Sequence, residues 1–302
     1  MNRTQRSIVT VALAGCFLMV DVVLAQGPPP MRRHTANQAR DLSLIDANRE
    51  LKTNNRVKVT QRNGQRVITV NNIPEHEVGR FPNSGNPHSI KIVSSTYRVP
   101  MNPKASRSLT PLSLGMNFGV ARNGIAFDPG AAEFWQGNMR SGWQYEPLGG
   151  AIKMGLDENH AHVQPDGRYH YHGLPDGLLS KLGVSATKHS PLVGWAADGF
   201  PIYARYGYSN PRDSESPLVE LRSGYRLKSG QRPSGNSGPG GNYDGTFVED
   251  YEYYESVGDL DECNGRFCIT PEFPNGTYAY FLTENWPTIP RMFRGTPDAS
   301  FR

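Results

Sequence analysis

Apolar and polar residues alternate over short segments of this chain, and no segment keeps an apolar period of 3.6 residues over several helical turns. Glycine and proline, which break long helices, occur 32 and 24 times. The pattern therefore predicts a mostly β protein with long loops. Its clearest element is a hairpin in which the strands Val57–Thr60 and Val67–Val70 flank an Asn63-Gly64 turn.

An imperfect repeat runs through the middle and the end of the chain. Residues 119–127 (GVARNGIAF) match residues 194–202 (GWAADGFPI) at both glycines, at one alanine and at the Asn/Asp-Gly turn. Two further landmarks follow in each copy. The first is a Leu-Asp-Glu, at 156–158 and 260–262, and the second is a turn, Asp166-Gly167 or Asn275-Gly276, with a Tyr-x-Tyr strand at 169–171 or 278–280. This order predicts two related β units, at about 119–175 and 194–287, in a single domain that spans residues 56–302.

The first 25 residues have the features of an export signal. Arg3 and Arg6 precede an apolar run from Ile8 to Val20, and Val23-Leu24-Ala25 is an acceptable cleavage site. We therefore expect a mature chain that begins near Gln26 and is exported to the periplasm or the cell exterior. No stable membrane insertion is expected after cleavage.

Two alternatives for this leader stay open. Leu13-Ala14-Gly15-Cys16 matches a bacterial lipobox, which would make the protein a lipoprotein anchored at Cys16. The other alternative is a retained anchor helix, although the apolar run is short for a membrane span.

The segment after the leader and the overall charge narrow the classes of function. Residues 26–55 contain Pro28-Pro29-Pro30 and few apolar residues, a composition typical of a flexible linker. The net charge of +4 is too balanced to indicate a nucleic-acid partner.

Four of the eight histidines lie close together, as the pairs His160 and His162 and His170 and His172. Alternate side chains of a strand point to one face, so each His-x-His pair would place two imidazoles about 6 to 7 Å apart on one side. Turn-forming residues 164–167 separate the pairs, so a hairpin would bring the four rings together.

This density of imidazoles predicts a site for one divalent metal ion. Imidazole nitrogens without thiolate or thioether partners favour copper or zinc. His189 follows the second pair and is a candidate fifth ligand. Asp157, Glu158 and Asp166 are candidates to orient the ring N–H groups or to complete the coordination shell.

The repeat separates packing residues from candidate functional ones. The Tyr-x-Tyr pattern recurs at 278–280, whereas Ala279 and Phe281 replace His170 and His172. A fold that accepts alanine and phenylalanine at these positions does not need imidazoles for stability. The histidines are therefore candidates for function.

Two cysteines, Cys263 and Cys268, belong to the expected mature chain. If residues 264–267 form a hairpin loop, the two side chains face each other within bonding reach, and an exported protein meets an oxidising compartment. We therefore predict a disulfide. Metal binding by this pair is the alternative, but no second Cys pair accompanies it.

Several of these motifs resemble one known family. Tyr169–His172 reads YHYH, and Ile73–His76, Ala161–Gly167 and Asp198–Tyr203 look like other parts of the pattern of the YHYH-domain proteins. The resemblance covers roughly Arg56 to Arg302. It implies an exported bacterial protein and does not imply a particular reaction.

Three classes of function remain after this comparison. The first is metal binding, and the second is a metal-dependent hydrolase or oxidase that uses the same site. The third is a carbohydrate or surface-interaction module with structural histidines, in which aromatic side chains form a stacking platform: Trp135, Trp143, Trp195 and Trp286. No nucleophile elbow, Gly-rich phosphate loop or His-Glu-x-x-His motif is present, so enzymatic activity stays undecided.

Overall fold

The computed structural model describes residues 42–302. The predicted signal, Cys16 and the first part of the predicted linker lie outside the described residues. The strands are β1 (Val57–Arg62), β2 (Gln65–Val70), β3 (Ser95–Pro100), β4 (Thr110–Pro111), β5 (Gly119–Ala121), β6 (Ala126–Phe127), β7 (Ala161–Val163), β8 (Tyr169–Tyr171), β9 (Gly194–Ala196), β10 (Pro201–Ala204), β11 (Tyr206–Tyr208), β12 (Leu218–Glu220), β13 (Tyr225–Leu227), β14 (Tyr251–Tyr253), β15 (Gly265–Thr270), β16 (Phe273–Leu282) and β17 (Met292–Phe293).

Helices are short within this part of the chain. The α-helix α1 (Asp176–Leu182) buries Leu178 and Leu179 and ends at Gly183, which takes the left-handed conformation that favours glycine. The 3-10 turns are Trp135–Gly137, Met139–Ser141, Pro147–Gly149, Gly235–Ser237, Val248–Asp250 and Ala299–Phe301. The prediction of a mostly β fold with long loops is confirmed. None of the helices within residues 42–302 is long and apolar enough to cross a membrane.

The hairpin predicted around Asn63-Gly64 is confirmed. β1 and β2 pair antiparallel, with Arg62 opposite Gln65, and β3 completes a three-stranded sheet. Asn63 and Gly64 both have positive φ angles, of 50° and 73°, as the favoured two-residue hairpin turn requires.

The main sheet has eight strands in the order β15-β16-β10-β9-β5-β6-β8-β7. At its centre β5 and β9 pair antiparallel. On one side β6 pairs parallel with β8, which pairs antiparallel with β7. On the other side β10 pairs parallel with β16, which pairs antiparallel with β15.

The tyrosines of β8 and β16 face the larger apolar core. Tyr169, Tyr171, Tyr278 and Tyr280 all belong to this core and are at most 1% exposed. Since side chains alternate along a strand, the residues between these tyrosines point to the opposite face of the sheet. The histidines of the YHYH segment therefore face away from the main core.

The disulfide expected between Cys263 and Cys268 is absent, and both cysteines are free and buried. Residues 264–267 do not form a hairpin loop, because β15 begins at Gly265 and runs through Thr270. Cys263 packs in the larger core and Cys268 in a second core that contains Phe281. The thiols thus lie in two different apolar clusters.

Two further details of the sequence interpretation differ in the structure. Asn275 and Gly276, interpreted as a turn, lie inside β16, where Gly276 has a φ of 90°. Part of the segment assigned to a flexible linker contacts the folded chain: Ile45 N–H donates to Leu156 O at 2.9 Å, and Arg49 N–H donates to Val78 O at 3.0 Å. The chain is therefore held by backbone hydrogen bonds before residue 56.

Candidate metal centre

Three histidines meet on one face of the β7–β8 hairpin. His162 on β7 is the cross-strand partner of His170 on β8. The turn between the strands is closed by the Gly167 N–H, which donates to Gln164 O at 2.9 Å. His172 follows two residues after His170 and shares its face, as strand alternation predicts.

The three side chains converge through the same ring atom. His170 Nε2 lies 2.9 Å from His172 Nε2, and His172 Nε2 lies 3.1 Å from His162 Nε2. The ligand atoms of the three residues all lie within 4.8 Å of one another. One ion can therefore be reached by three imidazole nitrogens.

The outer ring nitrogens show how each imidazole is held. His162 Nδ1–H donates to Met154 O at 2.9 Å, and His170 Nδ1 lies 3.4 Å from Arg168 O. A carbonyl can only accept, so the His162 proton is on Nδ1 and its Nε2 carries a lone pair. His172 Nδ1 is buried without a hydrogen-bond partner.

Burial keeps the three imidazoles neutral. Desolvation is the main cause in each case: it lowers the pKa of His162 to about 4, that of His170 to about 4, and that of His172 well below the ordinary histidine value. His170 and His172 are 3% and 2% exposed. Neutral imidazole is the form that binds metals, so the site is in its ligating form at pH 7.

A cleft of about 540 Å³ opens onto the three histidines. Asp128 lines it, and burial raises the pKa of this carboxyl group to about 6. The Gly130 N–H donates to Asp128 Oδ1 at 3.3 Å, and Gln164 Nε2 donates to Oδ2 at 3.4 Å. The centre is thus accessible from solvent on the side where a carboxylate lies.

Residues 96–295 match the family model described as YHYH protein. The chain belongs to the YHYH protein family. The match includes the whole β7–β8 hairpin and its three converging histidines. Neither the curated proteins nor the solved structures gave a significant match to the chain.

The structure does not bring His160 of this YHYH protein to the centre. His160 precedes β7 and has a φ of 52°, so the alternation expected for His160 and His162 does not apply. Its Nδ1–H donates to Leu174 O at 2.9 Å, and Nδ1 lies 3.7 Å from Asp176 Oδ2. The backbone conformation thus turns this imidazole toward the start of α1.

His189 lies beside the second core and not with the other histidines. Its ring centroid is 5.2 Å from that of Tyr203 and 4.9 Å from that of Tyr208, and its Nδ1–H donates to Ser190 O at 2.8 Å. The sequence prediction had no means to place it, because His189 is in a loop between elements.

The carboxylates predicted to support the histidines have other contacts. Asp157 is fully buried and accepts hydrogen bonds from Tyr169 Oη at 2.7 Å and from the Gly79 N–H at 2.8 Å. Glu158 accepts from the Ala47 N–H at 2.8 Å, and Asp166 pairs with Arg168 Nε at 2.7 Å. Asp157 braces the tyrosine behind the site, and Asp166 closes the hairpin turn.

Asp128 is the residue that the sequence prediction missed. When the match between 119–127 and 194–202 is extended by one residue, Asp128 aligns with Tyr203. This is the same kind of difference between the copies that singled out His170 and His172. The repeat therefore contained the signal.

The tryptophans do not form an exposed platform. The large apolar side chains that are exposed within residues 42–302 include no tryptophan. Trp286 stacks on Tyr251 with centroids 4.2 Å apart, and its Nε1–H donates to Glu146 Oε2 at 2.8 Å. Arg66 covers the ring of Trp195 at 3.7 Å. These aromatic rings are used in packing.

Proposed function

We propose that this chain is an exported YHYH protein that binds one divalent metal ion, copper or zinc, through His162, His170 and His172. The convergence of three Nε2 atoms at the bottom of a cleft carries the proposal. His160 and His189 are not part of the proposed ligand set.

Hydrogen bonding alone does not satisfy the three rings. His172 Nε2 contacts both neighbouring Nε2 atoms but carries at most one proton. With His162 and His170 both donating through Nδ1, a proton on His172 Nε2 can serve only one of the two contacts, and a proton on His172 Nδ1 serves neither. Unsatisfied buried polar atoms are costly, and a cation would accept all three Nε2 lone pairs, with the His172 proton then on its buried Nδ1.

The donor set and spacing suit copper or zinc. Bonds of 2.0 to 2.1 Å in a tetrahedral site place donor nitrogens about 3.3 Å apart. The separations from His172 Nε2, 2.9 Å to His170 and 3.1 Å to His162, are a few tenths of an ångström short of this value, and the ligand atoms of all three residues lie within 4.8 Å of one another, so binding would widen these two contacts and draw His162 and His170 to the same spacing. Three protein ligands leave one coordination position open to the cleft.

We also propose that the two halves of the main sheet arose by internal duplication. Tyr169 Oη donates to Asp157 as Tyr278 Oη donates to Asp261, at 2.7 and 2.9 Å. The residues before β7 and β15 have matching φ angles of 52° and 54°. In the second half, Arg266, Ala279 and Phe281 occupy the positions of the three histidines by strand register.

The test is metal content in protein prepared without a histidine tag. The double change His170→Ala with His172→Phe imitates the second half of the sheet. It should remove metal binding while the far-ultraviolet circular dichroism spectrum and the cooperative unfolding transition remain. After loading and dialysis, mass spectrometry of metals should give one equivalent for the parent and less than one tenth for the double variant.

His160→Asn is the matched control, because asparagine is the residue that the second half has at the same backbone conformation. This variant should keep one equivalent of metal. Equal metal content in the parent and the double variant would refute the proposed ligand set. Loss of metal from His160→Asn with the fold intact would show that His160 is a ligand.

A further inference from the structure

We propose that the three-histidine centre is hydrolytic, with Asp128 as its general base, and that its substrate is an ester or amide without a concentrated negative charge. This inference rests on the proposed metal function and adds a reaction class, a substrate class and a catalytic residue.

Sheet register places Asp128 beside the ligands. β6 pairs parallel with β8, with Ala126 opposite His170 and Phe127 opposite Tyr171. The next position is Asp128 opposite His172, and the Asp128 N–H donates to Tyr171 O at 2.9 Å, which continues the pairing. Because alternate residues share a face, Asp128 and His172 point to the same side of the sheet as His170.

Hydrogen bonds hold the carboxylate of Asp128 in place, but its oxygens can accept further hydrogen bonds. Its two hydrogen bonds, from the Gly130 N–H and from Gln164 Nε2, are long at 3.3 and 3.4 Å. Gln164 also lines the cleft, so the amide fixes the carboxylate at the wall without closing it off. Asp128 and the three histidines line the same cleft, so a water bound at the metal would share this cleft with the carboxylate.

The reaction is balanced with water as the only co-reactant. A metal held by His162, His170 and His172 would make a bound water more acidic; Asp128 would take one proton from this water, whose oxygen would form the new bond to the acyl carbon. The carbon–oxygen or carbon–nitrogen bond to the leaving group then breaks. The proton on Asp128 passes to the departing alkoxide or amine, which returns the carboxylate to its initial state.

The lining of the cleft separates acyl from phosphoryl substrates. Among the described residues that line it, the cleft has one lysine, Lys153, and no arginine. Sites for phosphoryl transfer use clamps of several cations. Much of the remaining wall is apolar, including Leu114, Ile152 and Pro165. An uncharged acyl group fits this lining better than a phosphate.

The corresponding position in the second half of the sheet supports the assignment. Tyr203 takes the place of Asp128 there and is fully buried with Phe281 in the second core. Tyr203 Oη donates to Glu272 Oε2 at 2.9 Å. Where the histidines are replaced, the carboxylate is replaced as well, and the space is filled by packed aromatic rings.

The experiment measures hydrolysis of 4-nitrophenyl acetate and 4-nitrophenyl phosphate by the zinc-loaded full chain. The rate of the His170→Ala, His172→Phe double variant in the same zinc buffer is subtracted as background. Asp128→Asn should keep one equivalent of zinc and the parent's unfolding midpoint but lose at least 100-fold in kcat on the acetate. Asp128→Glu should restore part of the rate, and Asp213→Asn, in an exposed loop where the carboxylate accepts from the Glu215 N–H, should leave it unchanged.

The pH profile distinguishes a base from a structural residue. The parent's kcat should fall at acid pH, and in Asp128→Asn, compared at equal zinc content, the fall should move to the pH range in which the bound water alone loses its proton. A parent-like rate in Asp128→Asn would overturn the role of Asp128, and loss of zinc from a folded Asp128→Asn would make it a ligand instead. Faster hydrolysis of the phosphate than of the acetate would overturn the substrate class. Absence of zinc from a parent that binds copper would overturn the hydrolytic centre, and absence of both metals from the parent would refute the metal function itself.

Discussion

At the scale of single residues, a buried hydrogen-bond chain runs behind the candidate metal centre. Asn123 Nδ2 donates to Tyr171 Oη at 2.8 Å, and Tyr171 Oη donates to His76 Nε2 at 2.6 Å. His76 Nδ1–H in turn donates to Glu77 O at 2.7 Å. This direction of donation requires a neutral His76, and burial lowers the pKa of the imidazole.

His76 should make the stability of the protein depend on pH. An unfolded histidine has a pKa of about 6.5, so below that pH the unfolded chain binds a proton at His76. Folded His76 binds this proton only at lower pH, because its pKa is lowered. Stability from this group is therefore complete above pH 6.5 and falls as the pH decreases. The loss is at most about 1.4 kcal/mol per pH unit.

The change His76→Gln should flatten this dependence, because glutamine can also donate and accept but does not titrate. Urea unfolding of metal-free protein from pH 7.5 to pH 5 measures the difference between parent and variant. Other histidines contribute equally to both proteins. Parallel stability curves for the two proteins would contradict the role assigned to His76.

The candidate ligands show what single-residue reasoning can and cannot predict. His162, His170 and His172 follow from strand alternation and a turn signal, which are local properties of the sequence. His160 obeys the same spacing but has a positive φ that nothing in the sequence of that pair indicates. Asp128 comes next to His172 through a parallel pairing of distant segments, which local patterns do not reveal.

At the scale of elements, β5 and β9 meet through glycines at the centre of the main sheet. A Cβ atom on Gly194 would lie 2.5 Å from Val120 O, and one on Gly119 would lie 2.5 Å from Trp195 O. Contacts this short involve backbone atoms, which cannot move away independently. The two halves of the sheet are therefore joined where a side chain has no room.

The change Gly194→Ala should destabilise the protein by roughly 1 to 3 kcal/mol, since β5 and β9 must separate to admit the methyl group. The loss is measured as the decrease in the free energy of unfolding by chemical denaturation, and the dependence of this free energy on denaturant concentration should not change. Gly130→Ala is the control, because its Cβ would meet nothing closer than 3.6 Å. A Gly194→Ala protein as stable as the control would contradict this account of the central pairing.

Two Asn-Gly pairs gave the same turn signal in the sequence, but only one of them forms a hairpin turn. Asn63-Gly64 marked its hairpin because the turn and the flanking alternation agree. Asn275-Gly276 gave the same local signal but lies inside β16, the ten-residue strand, where a register shift opposite it accommodates the glycine. Tertiary pairing with β15 and β10 overrode the turn preference.

At the scale of the whole molecule, we expect the exported form to begin at Gln26. Intact-mass analysis of protein expressed with its own leader should give a mass that starts at this residue, with or without cyclisation of the glutamine. A diacylglyceryl group on Cys16 would instead establish the lipoprotein alternative. An unprocessed N-terminus would indicate a retained anchor.

The mostly β fold class could be predicted for the molecule because the composition alone disfavours long helices. The order of the eight strands does not follow from the sequence, because it depends on two parallel pairings between segments many residues apart. The predicted disulfide failed for a related reason. Its geometry was inferred from a local loop, whereas the segment is a strand fixed by distant partners.

The two free thiols provide independent reporters of how the molecule opens. Cys263 is fully buried in one apolar cluster and Cys268 is 4% exposed in the other. Burial raises the pKa of Cys263 to about 12 and also raises that of Cys268, so reactive thiolate is scarce in the folded state. Alkylation of each sulfur therefore waits for its own cluster to loosen, and the order in which the two are labelled gives the order in which the two faces of the sheet come apart.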